Sequence, residues 1–256
     1  MIAGLLVYLA FAVFIGGLIV RLWRYTRTPA PLKIPLMPAP QTYAGVLQRL
    51  FFEVFLFRSL FRASRWTWVF GWLFHAGLLI VALSHLQYFT DPIWNWVAFI
   101  VPFSHFAAYA MVVGLAGLLV RRITIARIRY ISAPSDYLML LLFLAIAGSG
   151  LLMHHVFYPD ILGVRQFTLG LVTGNPGSLP GQWLLWLHVC LFAVLLLIFP
   201  FSKLLHAPGI FFNPVFTQRD NARERRHINP WSKSSGNDNT RQQRSQSKTG
   251  NGRRAP

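Results

Sequence analysis

Gln182 to Ser202 is a run of twenty-one residues without a formal charge, QWLLWLHVCLFAVLLLIFPFS. As a helix it is long enough to cross a bilayer, and in hydrocarbon a backbone that satisfies its own hydrogen bonds has few alternatives to a helix. Other apolar runs of similar length recur along the chain. With 55% hydrophobic and 12% charged residues, the sequence is that of an integral membrane protein. Its formal net charge of +17 would suit a nucleic-acid ligand, but the basic residues lie between and after the apolar runs. There they orient the chain in the membrane rather than line a phosphate-binding surface, so no nucleic-acid partner is expected. The single cysteine, Cys190, excludes an internal disulfide, covalent c-type haem attachment and a protein-held iron–sulfur cluster. Packing between helices is its expected role.

Taken in order, the chain reads as five spans, at about residues 2–22, 66–89, 97–120, 137–158 and 182–206. The first lacks the preceding positive charge and the small-residue cleavage site of a signal peptide, so it is read as a retained helix. The proline-rich stretch TPAPLKIPLMPAP then interrupts helical structure. Residues 43–65 are apolar but broken by charge, with Arg58, Arg62 and Arg65 on one stripe and Arg49 and Glu53 roughly opposite. That pattern predicts one imperfect interfacial helix on the membrane surface, which also offers a docking face for a soluble partner. Residues 1–212 are expected to form the membrane domain. Residues 213–256 form a basic, polar tail, expected to be disordered from about residue 232.

The loop between spans 1 and 2 carries Arg21, Arg24, Arg27, Lys33, Arg49, Arg58, Arg62 and Arg65, and that between spans 3 and 4 carries Arg121, Arg122, Arg127 and Arg129. The opposite loops hold Arg165 alone. The positive-inside rule therefore predicts an all-α, five-helix integral membrane bundle with a periplasmic N-terminus and a cytoplasmic C-terminus.

Four histidines stand out in these spans. His75 and His85 lie ten residues apart on span 2, and His188 and His206 eighteen apart on span 5. Since the two spans run in opposite directions, neighbouring helices would bring His75 to the depth of His206 and His85 to that of His188. Each pair would clamp one flat haem between its imidazoles, leaving no open iron position and so favouring electron transfer. The ladders do not match: ten residues rise about 15 Å and eighteen about 27 Å. Pro200 is expected to bend or loosen the turns before His206 and absorb part of the difference. Interhelical hydrogen bonding by four polar residues is the alternative reading, since an intramembrane imidazole needs either a partner or a purpose. Gly71 and Gly77 would let either a porphyrin or a neighbouring helix lie close.

The histidine spacing, together with Phe199-Pro200-Phe201-Ser202-Lys203-Leu204-Leu205-His206, resembles the membrane cytochrome b (gamma) subunit of respiratory nitrate reductase across roughly residues 1–212. That resemblance implies two haems b, an inner one on His75 and His206 and an outer one on His85 and His188. The runs TPAPLKIPLMPAP, FRASRWTWVFGWLFH and SHLQYF are more similar to the cytochrome b subunit of the complex that accompanies dissimilatory sulfite reductase. This branch implies a cytoplasmic iron–sulfur partner of heterodisulfide reductase type, further membrane and periplasmic subunits, and a role in dissimilatory sulfur metabolism. The nitrate reductase branch has a lysine near its quinol site after span 2, and the corresponding loop here has none.

With no flavin motif and no cluster ligands, the chain is read as an electron-transfer subunit that is not catalytic alone. It would link the quinone pool to a soluble redox subunit, as a multi-pass protein of the bacterial inner (cytoplasmic) membrane. The resemblance puts the quinone at the outer haem, within reach of Gln87, Tyr88 and Asp91. Arg121, Arg122 and Lys203 are nearest in depth to the inner haem propionates. His105, His154 and His155 are expected to be interfacial and solvent-facing. A nitrate reductase gamma subunit, a haem-free anchor for a cytoplasmic complex and a proton-relaying transporter are the competing readings.

Overall fold

In the computed structural model, residues 2–28, 35 and 37–221 are described, and these residues are helical with no strand. The tail expected to be disordered lies outside them. Among them, five helical segments are long and apolar enough to cross a membrane: Ile2–Arg27, Arg65–Tyr88, Asn95–Thr124, Pro134–His155 and Trp183–Phe201. The protein is a multi-pass membrane protein.

The first span is α1 (Ile2–Arg27), ending in Arg24 and Arg27. Thr42 then caps α2 (Tyr43–Leu56), its hydroxyl accepting the Gly45 N–H at 3.1 Å. The interfacial segment is not one helix. Phe57 adopts a left-handed conformation (φ 48°, ψ 47°), ends α2 and starts a separate short helix, α3 (Arg58–Ala63). Ser64 caps α4 (Arg65–Ser84), which a 3₁₀ turn, His85–Tyr88, extends. The third span is assembled from α5 (Asn95–Ile100), a 3₁₀ turn at Pro102 and α6 (Ser104–Thr124). After α7 (Ala126–Ile131), α8 (Pro134–His155) begins with proline in its first turn, where no backbone donor is needed.

Between the fourth and fifth spans lies a helix that the loop reading of this stretch did not anticipate. α9 (Ile161–Thr173) starts at Asp160, whose carboxylate accepts the Gly163 N–H at 3.1 Å, and stops at Gly174 in a left-handed conformation (φ 81°). Its glycines mask the helical periodicity, while the acidic cap and the terminal glycine mark its ends. α10 (Trp183–Ile198) follows, and it does not run on to His206. Pro200 sits in a 3₁₀ turn, Ser202 is extended (φ −108°, ψ 174°), and a second 3₁₀ turn, Lys203–Leu205, leads into α11 (His206–Gly209). α12 (Pro214–Thr217) closes the described chain by packing on α2.

The packing runs α4 on α6, α6 on α8, α8 on α10 and α10 on α1. Without a hydrophobic force between helices in lipid, small residues decide where backbones meet. An added Cβ at Gly77 would lie 2.5 Å from the Ala107 carbonyl oxygen, and one at Gly114 would lie 2.6 Å from that of Phe70. Gly77 therefore serves the close approach of α4 to α6. Phe74, Met111, Leu115, Phe143, Ala147 and Leu195 join α4, α6, α8 and α10 in one buried cluster.

Candidate functional site

The four span histidines come together two by two. The ring centroids of His75 and His206 are 6.0 Å apart with planes at 90°, and those of His85 and His188 are 6.4 Å apart with planes at 9°. The break after α10 brings His206 to His75. A straight helix would carry His206 beyond that depth, and the extended Ser202 redirects the chain.

All four imidazoles share one further feature. His75 donates from Nδ1 to the Gly71 carbonyl at 2.7 Å, His85 to that of Val81 at 2.7 Å, and His206 to that of Lys203 at 2.9 Å. A carbonyl can only accept, so Nδ1 carries the proton in each. For His188 the partner is Ser149 Oγ at 2.8 Å. That hydroxyl has one proton and directs it to the Ile146 carbonyl at 2.9 Å, so its oxygen accepts from His188. In a neutral ring, each Nε2 is then left with a free lone pair, the arrangement that orients histidines toward a metal. The separations fit as well. Two opposed imidazoles bonded to one metal at about 2 Å each hold their ring centroids about 6 Å apart. The residues present therefore fit an iron porphyrin held between each pair.

The turn that carries His85 also holds Gln87 and Tyr88. The Tyr88 ring lies 5.9 Å from that of His85, and Gln87 is half-buried. α9 is fastened across this turn: Thr168 donates its hydroxyl to the Tyr88 carbonyl, and Arg165 Nη2 donates to the Thr90 carbonyl at 3.0 Å. The same Nη2 pairs with Asp91 Oδ1 at 2.8 Å. Asp91 is thus bound to Arg165. Arg165 Nε is buried and meets no acceptor among the described residues.

At the opposite end, Arg122 Nη1 and Lys203 Nζ both pair with Asp136, at 3.2 and 2.7 Å, and Arg121 makes a long 3.4 Å contact with Ser64 Oγ. Arg122 and Lys203 are therefore already engaged by a carboxylate that is 11% exposed. Asp136, Ser149 and Arg165 were not singled out from the sequence, yet each left a trace there. Asp136 is the one acidic residue between Arg121 and Tyr137, Ser149 is a hydroxyl between two glycines in an apolar span, and Arg165 is the lone cation of its loop.

His105 and His154 stack with centroids 5.4 Å apart, and His155 Nε2 lies 2.7 Å from the Tyr109 hydroxyl. His154 and His155 are exposed and His105 is half-buried. Among the described residues no group of three or more metal-ligating side chains is placed to hold an ion.

Residues 58–225 match the family model described as nitrate reductase gamma subunit. The chain belongs to this family. The chain is 33% identical to the Hdr-like menaquinol oxidoreductase cytochrome b-like subunit of Archaeoglobus fulgidus, over 88% of this chain and 81% of that protein. It is 34% identical to the protein of the same description from Archaeoglobus profundus, over 88% and 80%. The respiratory nitrate reductase 2 gamma chain of Escherichia coli is 30% identical over 57% of this chain and 73% of its own length. α1 and α2 precede the part matched by the gamma-subunit model.

Proposed function

We propose that this gamma-subunit family member is a dihaem cytochrome b that carries electrons between membrane quinol and a cytoplasmic iron–sulfur subunit, with the N-terminus outside and the tail inside. The observation that carries this reading is the pairing of four imidazoles at haem-ligand separations, each tied through Nδ1 so that Nε2 keeps its lone pair. His75 and His206 would hold the inner haem, and His85 and His188 the outer. Ligated on both faces, a haem iron supplies one-electron transfer and has no position left for oxygen.

The chain's own residues supply the rest. Ser149 and three backbone carbonyls hold the ligand rings in one tautomer. α9 covers the turn that presents Gln87 and Tyr88 beside His85. The buried, unpartnered Nε of Arg165 supports a ligand oxygen in that neighbourhood, which a quinone carbonyl would provide. Menaquinol is the quinol named for the Archaeoglobus relatives, and a partner of heterodisulfide reductase type agrees with the same description. With Arg122 and Lys203 bound to Asp136, Arg121 has the weakest side-chain contact of these three candidates, and it is the first choice for a propionate. In this orientation quinol oxidation releases protons outside and carries electrons inward. Dissimilatory sulfur metabolism is the setting proposed for the complex.

A reduced-minus-oxidised spectrum of the purified chain tests the reading. Two low-spin b-type signals are expected, and a His188→Ala variant should lose the outer and keep the inner. A haem-free chain would leave only a membrane anchor, and loss of the inner signal would refute the pairing.

A further inference from the structure

The link from α10 to His206 is short, irregular and held at both ends. At its start, Pro200 packs against Gly17 of α1, where an added Cβ would come within 2.6 Å of the proline ring. Arg21 Nε also donates to the Pro200 carbonyl at 3.1 Å. Near its far end, Ser202 Oγ accepts the Leu204 N–H at 3.2 Å, and the Lys203 carbonyl accepts Nδ1 of His206 at 2.9 Å. The backbone that orients the imidazole is thus the backbone of Lys203, and the Lys203 side chain reaches α8, where Asp136 Oδ1 receives it at 2.7 Å. Asp136 is itself fixed: Oδ2 accepts the Ala133 N–H at 3.1 Å and pairs with Arg122 at 3.2 Å. Arg122 is held in turn by Ser132 Oγ at 2.7 Å.

Lys203 opens a single 3₁₀ turn after the extended Ser202, so only short-range backbone bonds hold it from the chain itself. The carboxylate on a neighbouring span supplies the long-range constraint, with its helix start and a second cation keeping it in place. We infer that Asp136 is a positioning residue for His206: through Lys203 it sets the orientation of the imidazole that faces His75. This rests on the proposed role of His75 and His206 as the inner haem ligands. The partners that orient a ligating histidine govern how tightly the metal group is held. The relay therefore acts on retention of the inner haem, and the outer pair, held by Ser149 and Val81, is independent of it.

Asp136→Asn, Lys203→Met, Asp136→Glu and the Asn/Met double variant, made in the full chain and purified with haem, test this inference. Retention of each haem is followed spectrally as it transfers to an excess of a haem-scavenging apoprotein, and both midpoint potentials are titrated. Positioning predicts that Asp136→Asn and Lys203→Met each speed inner-haem loss, by about threefold to tenfold. It also predicts that the double variant is no worse than the more severe single, that glutamate restores most of the retention, and that the outer haem is unaffected. A purely electrostatic role predicts otherwise: the two singles change local charge in opposite senses, so the inner potential would move in opposite directions with retention unchanged. That result overturns the inference, as does equal loss of both haems, which marks general destabilisation. A wild-type chain that takes up no haem would instead remove the functional reading on which the inference rests.

Discussion

The imidazoles of His85 and His188 face each other with centroids 6.4 Å apart and planes 9° from parallel. Those of His75 and His206 are perpendicular, at 90°. Parallel rings act on the same iron d orbital and lift its degeneracy with its neighbour, whereas perpendicular rings act on two orbitals and leave them nearly degenerate. With a haem on each pair, as proposed, the oxidised protein should therefore give two distinct low-spin paramagnetic resonance signals, a rhombic one from His85 and His188 and a far more anisotropic one from His75 and His206. Removal of the rhombic signal by His188→Ala is the check, and two identical signals would contradict it.

Ser149 is the side-chain acceptor for His188. Ser149→Ala removes the hydroxyl that accepts the buried Nδ1–H and leaves it the Ile146 carbonyl, at a cost of about 1 kcal/mol in stability. Affinity for the outer haem should fall by about tenfold or more, with the inner haem retained. Haem content of the purified variant and its thermal midpoint measure both effects, and an unchanged outer signal would show that Ser149 does not orient the ring.

Arg165 and Asp91 form a partly exposed pair, with side chains 27% and 68% accessible. Such pairs contribute about 0–1 kcal/mol, so Arg165→Leu should lower stability little. It also unfastens α9 from the Thr90 carbonyl and removes the unpartnered Nε near the His85 turn. The expected result is a raised apparent KM for a menaquinol analogue in the assembled complex, with both haem spectra intact. Unaltered quinol kinetics would separate Arg165 from the quinol site.

Gly114 admits the backbone of Phe70 and Phe74 from α4. A Gly114→Val change forces α4 away from α6, with a destabilisation of about 1–3 kcal/mol. Because α4 carries His75 and His85, both haems should be lost in step with the folded fraction, as read by thermal unfolding and haem content together. Selective loss of one haem would mean that the contact is local.

Much of the architecture was legible in the chain. The length of its apolar runs marked five spans, and the spacing of four histidines picked out spans 2 and 5. Other parts were not. Sequence places α9 in the loop between spans 4 and 5 because glycine weakens helical periodicity, and it makes residues 43–65 one helix because nothing local flags Phe57 as left-handed. Gly77 was open between porphyrin and helix contact, and only the position of Ala107 places it in the helix interface. Arg122 and Lys203 were matched to propionates by depth alone, which could not register Asp136 between them.

Membrane residence and the number of spans were determined by the sequence alone, because run length is a property of one dimension, and spacing marked the four histidines as candidates. The proximity of His206 to His75 and of His188 to His85, the Ser149 acceptor for His188 and the clasp of Arg165 over the His85 turn were decided by the tertiary structure. These join groups far apart in sequence that meet only when the helices pack, whereas the Nδ1 partners of His75, His85 and His206 are carbonyls three or four residues away, fixed by the local backbone.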